Sequence, residues 1–138
     1  MKSETDSIMF DTSALIAYFL DEDGAKEVDY WLRDVEDDEV KGYISVVTLS
    51  ELAFVVGNIS MELANFISAY IEESNLLVVP LTYDIAKQSG YYRLKNKALK
   101  LSYADCYIIT GCINEKIDSI ITADKAWEKL KDVKPIVI

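Results

Sequence analysis

Alternating strand and helix signals predict an α/β domain built on a parallel sheet that is covered on both faces. Two observations carry that class. Short, continuously apolar runs recur along the chain, and stretches with helical spacing stand between them. A strand buried on both faces needs apolar residues on both, so it reads as a run rather than as an alternation. Strand and helix taking turns then favours parallel pairing through crossovers over separate layers.

Five runs read as strands: Ser7 to Phe10, Tyr43 to Val47, Leu76 to Val79, Ser119 to Thr122 and Pro135 to Ile138. Between them, Ala25, Val28, Trp31, Leu32 and Val35 fall on one helical face, as do Leu63, Phe66, Ile67, Tyr70 and Ile71. Helix starts are expected at Thr48, Ser60, Thr82 and Ser102, whose hydroxyls can accept from orphan amides of a first turn. Glycine and proline are scarce, and no repeat, low-complexity tract or linker interrupts the pattern. A single domain spanning residues 1–138 is the simplest account, long enough to bury roughly two-thirds of its unfolded surface.

Composition removes several function classes. The chain has no histidine, which excludes serine–histidine–aspartate and cysteine–histidine hydrolases. Its two cysteines, Cys106 and Cys112, lie six positions apart in one expected helix, facing too far apart to bridge, and read as core thiols. No apolar run approaches the ~20 residues of a membrane span, and residues 1–7 lack the basic and apolar stretches of a signal peptide. A cytoplasmic protein with no membrane contact is expected.

The net charge of −10 opposes nonspecific binding to nucleic acid, which depends on lysine and arginine neutralising phosphates. The charge is nevertheless segregated. From Ile85 to Ala104 there are five basic residues (Lys87, Arg93, Lys95, Lys97, Lys100) and no acidic ones. By contrast, Asp21 to Glu39 holds ten acidic residues against Lys26 and Arg33, and reads as a solvated helix face and loop.

Four acidic residues stand at or near expected helix starts: Asp11, Glu51, Asp105 and Asp124. Each has an ordinary structural reading. Thr48 to Glu51 spells a capping box, Ser102 to Asp105 a shorter version of it, and Asp11 and Asp124 occupy strand-to-helix junctions where aspartate complements the helix dipole. In a parallel sheet, however, every helix that follows a strand begins at the carboxyl edge, where α/β folds bind ligands. Asp105 belongs there too, because its helix runs antiparallel to the strand it leads into. Oxygen ligands without histidine select hard cations such as magnesium or manganese over zinc.

The residues resemble the PIN-domain nucleases, especially the small VapC-type toxins of toxin–antitoxin pairs. The resemblance covers nearly the whole length: an apolar strand ending in Asp-Thr-Ser, a Ser-Glu-Leu helix start, a Tyr-Ala-Asp helix, and a late strand closing in Thr-Ala-Asp. It implies a three-layer α/β/α fold with a five-stranded parallel sheet and a Mg²⁺- or Mn²⁺-dependent ribonuclease site at the carboxyl edge. Asp11, Glu51, Asp105 and Asp124 match the family's four acids in order, and Ser13 and Thr122 match hydroxyls that line that site. An antitoxin partner and a homodimer are likewise implied by the resemblance. Trp127 departs from the more usual phenylalanine, and the Cys-Tyr-Ile-Ile-Thr-Gly after Asp105 departs from small apolar residues; such bulk near the site would narrow its substrate range.

On this reading Asp11, Asp105 and Asp124 are the principal metal ligands. Glu51 binds a second ion or orients the attacking water as general base, and Ser13 and Thr122 fix carboxylate geometry. Arg93, Lys95, Lys97 and Lys100, with Tyr91 and Tyr92 alongside, would guide an RNA backbone, although basic residues at a helix end also complement its dipole. Two alternatives stand beside it. A phosphatase of the haloacid-dehalogenase type needs an aspartate two positions after the first, where this chain has Ser13. A PIN-like binding module would keep the acids while only tethering RNA or a partner protein.

Overall fold

The computed structural model describes residues 6–138. The first five residues, part of the stretch behind the expectation of no signal peptide, lie outside the described residues. β1 (Ser7–Phe10) leads into α1 (Thr12–Phe19) and α2 (Ala25–Glu36), and β2 (Lys41–Ser45) into α3 (Val46–Gly57) and α4 (Met61–Glu73). β3 (Leu77–Val79) is followed by α5 (Tyr83–Lys95), a 3₁₀ turn at Lys97–Leu99 and α6 (Tyr103–Asn114). β4 (Ser119–Thr122), a second 3₁₀ turn at Lys125–Lys129 and β5 (Pro135–Val137) complete the order. Among the described residues no helix is long and apolar enough to cross a membrane.

All neighbouring strands pair in parallel, in the order β3-β2-β1-β4-β5. The expected five-stranded parallel α/β fold is therefore what the chain adopts. From central β1 the chain steps outward to β2 and β3, then crosses back to β4 on the other side. The gap between the ends of β1 and β4 is thus the topological switch point, the place where open α/β sheets bind ligands. Phe10 is in register with Ile121, so Asp11 and Thr122 emerge side by side from the sheet.

The pleat sends successive residues to opposite faces, and each face has its own core. Ile8 and Phe10 of β1 join Ile44 and Ile121 under α1 to α4, with Leu15, Val28 and Leu52 above them. Met9 and Ile120 face the other way, into a second core with Ile85 of α5, Ile109 of α6 and Trp127. Ile8, Met9 and Phe10 are all fully buried, which is why the strand reads as a continuous apolar run. Cys106 and Cys112 are free thiols in the second core, as expected.

The structure departs from the sequence reading at the end of β2, at the cap of α3 and on the packed face of α4. β2 ends at Ser45, and Val46 and Val47 open a helix although both are β-branched. The hydroxyl of Ser45 decides this by accepting from the amide of Val47 at 3.2 Å, so Thr48 is an interior helix residue and not the cap. Phe66, expected on the buried face of α4, is 61% exposed, while Ile67 and Ile71 carry the packing. Ser60, Thr82 and Ser102 do cap their helices, each accepting from the amide three positions on.

Candidate active site

Asp11 follows the central strand directly, and its own amide donates to the Ile121 carbonyl at 3.0 Å, which continues the β1–β4 pairing one residue past the strand. Although it occupies the N-cap position of α1, its side chain makes no capping bond. Instead Oδ2 accepts from the hydroxyls of Ser13 at 2.6 Å and Thr122 at 2.8 Å. Those two hydroxyls stand 3.2 Å apart, and Ser13 Oγ also accepts from the amide of Ala123 at 2.9 Å. The carboxylate is thereby fixed by α1 and β4 at the switch point, with Oδ1 making no hydrogen bond to the described residues.

Glu51 departs from its expected capping role for the same reason that Thr48 does. It lies in the second turn of α3, where Oε1 accepts from the hydroxyl of Thr12 at 2.6 Å. Thr12 Oγ1 also lies 3.0 Å from Thr48 Oγ1, and both threonines are buried. Asp105 and Asp124, by contrast, do cap. Asp105 accepts from the amide of Ser102 at 3.0 Å in a complete capping box, and Asp124 Oδ1 accepts from the amide of Ala126 at 3.0 Å. In each case one carboxylate oxygen is engaged.

The electrostatics group three of the four acids. Asp11 is only 5% exposed, and burial pushes its carboxyl up from 3.8 to about 6. The hydroxyls of Ser13 and Thr122 oppose that rise, while the negative charges of Asp105 and Glu51 add to it. Asp105 and Glu51 are therefore near enough to be felt at the buried carboxylate. Asp124 contributes no such push; it is exposed, tied to the centre through its amide, which donates to Thr122 Oγ1 at 3.0 Å. Among the described residues no three acids or thiols stand close enough together to enclose an ion. The donor chemistry still suits a hard cation: the carboxylates of Asp11, Glu51 and Asp105 each hold one oxygen in a hydrogen bond.

The residue overlooked in the sequence is Thr12, whose hydroxyl reaches Glu51 from α1 and also lies 3.0 Å from Thr48 Oγ1. Its signal was the Asp-Thr-Ser triplet, of which Asp11 and Ser13 were singled out. Trp127 is fully buried in the second core, and its amide donates to the Asp124 carbonyl at 3.1 Å.

The four basic residues expected to guide RNA are split. Arg93, Lys97 and Lys100 line one cleft with Tyr103, at the start of α6. Lys95 faces another hollow, beside Asn96, Lys129 and Lys131.

A parallel α/β domain with a buried carboxylate at its switch point and two further acids in electrostatic reach is the class defined by these features. Residues 8–133 match the PIN domain, and the chain belongs to that family. No curated protein matches the sequence at a significant level. Solved structures share the fold. VapC20 of Mycobacterium tuberculosis, described as a toxin that cleaves the sarcin–ricin loop, superposes with a TM-score of 0.74 at 16% identity, over 93% of this chain and 99% of that one. VapBC2 of Rickettsia felis, bound to a DNA fragment from its promoter, gives 0.71 at 17% identity, over 95% and 98%. A toxin–antitoxin complex from Klebsiella pneumoniae gives 0.68 at 22% identity, over 91% and 94%.

Proposed function

We propose that this protein is a divalent-metal-dependent ribonuclease, the toxin of a toxin–antitoxin pair. The observation that carries the reading is Asp11: a buried, charge-opposed carboxylate at the switch point of a PIN fold, facing Asp105 and Glu51. Such a group is costly to a fold unless it serves a site. Asp11, Asp105 and Asp124 would hold Mg²⁺ or Mn²⁺. A bound divalent ion supplies Lewis-acid stabilisation of the phosphodiester oxygens and a more acidic water. Glu51, steadied by Thr12, takes the proton of the attacking water or completes a second ion site. Ser13 and Thr122 hold the Asp11 carboxylate in one orientation. The basic residues near α6 bring the RNA backbone toward the acids.

A protein partner fits the exposed apolar surface of α3 and α4. Phe54 and Met61 of α3 and α4 are 73% and 65% exposed, and Leu52, Ala64, Ile67 and Ile71 line a hollow of 290 Å³ between those helices. Apolar surface of this kind supports an antitoxin, a second copy of the chain, or both. The same reading has the protein act in the cytoplasm.

One observation favours the tether alternative: no three acids form a ready-made ion cage among the described residues. Incubation of labelled RNA with manganese decides between them. Cleavage that EDTA abolishes, and that Asp105→Asn abolishes in a folded protein, is the expected outcome. RNA binding without cleavage under any divalent ion establishes the tether.

A further inference from the structure

The cations beside α6 are arranged for more than neutralising charge. Arg93, Lys97 and Lys100 surround a cleft of 490 Å³ that Leu101 and Tyr103 wall and that Gly90 also lines. None of these cations joins an ion pair among the described residues; the one pair found there, Arg33 with Asp29, lies on α2. In a chain of net charge −10, three unpaired cations around one hollow point to an anionic occupant.

The cleft also presents flat surfaces. Arg93 Nε donates to the Leu101 carbonyl at 3.0 Å, and the guanidinium lies 4.3 Å from the centroid of the Tyr103 ring. Tyr103, 53% exposed, is in turn stacked on Tyr107 with centroids 6.2 Å apart and 26° between the rings. Guanidinium and tyrosine faces are the groups on which nucleobases stack. Gly90 supplies an independent sign. It stands inside α5, where glycine weakens a helix, yet a methyl group placed on it would meet no heavy atom within 4 Å. Packing does not require glycine there; a missing side chain keeps the cleft open.

We propose that this cleft seats one unpaired nucleotide of an RNA strand, its base against the Arg93–Tyr103 pair and its flanking phosphates on Lys97 and Lys100. The proposal rests on the ribonuclease reading for what happens next to it, and adds that the strand is single at this position. A duplex hides its base faces and cannot enter. Tyr103 and Asp105 lie two positions apart in the first turn of α6 and so project to different sides of it. The strand reaches the acids by passing over the N-terminus of that helix, where amide dipoles favour phosphate.

Binding of a short labelled single-stranded RNA and of a blunt duplex, measured by fluorescence anisotropy in EDTA, tests this without any cleavage. Tyr103→Leu and Gly90→Leu are expected to weaken single-strand binding by about tenfold, leaving its salt dependence intact. The double variant Lys97→Gln, Lys100→Gln is expected to reduce the salt slope by about 1.4. Melting curves confirm that each variant folds. Unchanged single-strand affinity in both Tyr103→Leu and Gly90→Leu, an equal loss for the duplex, or no binding by the parent protein overturns the proposal. Cleavage of the same RNA with manganese is scored separately. Its absence, with binding as expected, defeats the nuclease reading and leaves the cleft; its presence in Tyr103→Leu at parental affinity does the reverse.

Discussion

Burial sets Asp11 apart from the other three acids and makes its charge a liability to the metal-free fold. With a pKa of 3.8 when free and about 6 in the fold, the group is neutral in both states below about pH 4. Between those values the unfolded chain releases the proton and the folded one keeps it, so stability falls as pH rises. Above about 6 the loss is complete and of order 3 kcal/mol. Asp11→Asn keeps an oxygen for Ser13 and Thr122 while removing the charge. At pH 7 in EDTA this variant is expected to melt several degrees above the parent protein, the gap closing below about pH 4; an equal or lower melting point at pH 7 contradicts the burial argument. The sequence placed Asp11 among four acids expected to repel one another, but not its burial, which sets it apart from the other three. Which carboxylates cap and which do not depends on hydroxyls 2 and 111 positions away, and only one of those separations is local.

Helix starts show how local chemistry both informed and misled. Ser60, Thr82 and Ser102 were legible because each precedes its helix by one residue and nothing competes for its hydroxyl. The Thr48–Glu51 capping box has the right letters, but Ser45 starts the helix one turn earlier and releases both residues for contacts with Thr12. The β-branched residues Ile44, Val46 and Val47 on either side of Ser45 do not say where strand gives way to helix. Ser45→Ala should therefore cost about 1 kcal/mol of stability by urea denaturation. A loss within error would return the cap to another residue. The strands were more legible than the helices, since Ser7–Phe10 and Ser119–Thr122 are buried on both faces and leave no alternative period.

At the scale of the molecule, strand order is the level the sequence could not reach. Five apolar runs announce a parallel sheet, but only the pairing β3-β2-β1-β4-β5 brings Asp11 next to Thr122. The electrostatic cost of Asp11 with Glu51 and Asp105 falls when a cation is held, so metal is expected to stabilise the whole fold. Thermal melting should move upward in millimolar manganese relative to EDTA, with a smaller rise in Asp11→Asn and in Asp105→Asn. Superimposable curves for the parent protein would mean that the acids do not share an ion.

The partner that completes the Asp11 site lies 111 residues further along the chain. Ribosomes deliver β1 and Glu51 well before β4, and parallel pairing across so long a loop is slow to form. A chain still being translated thus carries its first acids without the neighbour that orients them. The centre forms only once β4 has followed, so the growing chain passes through an interval in which its first acids are present but not yet oriented.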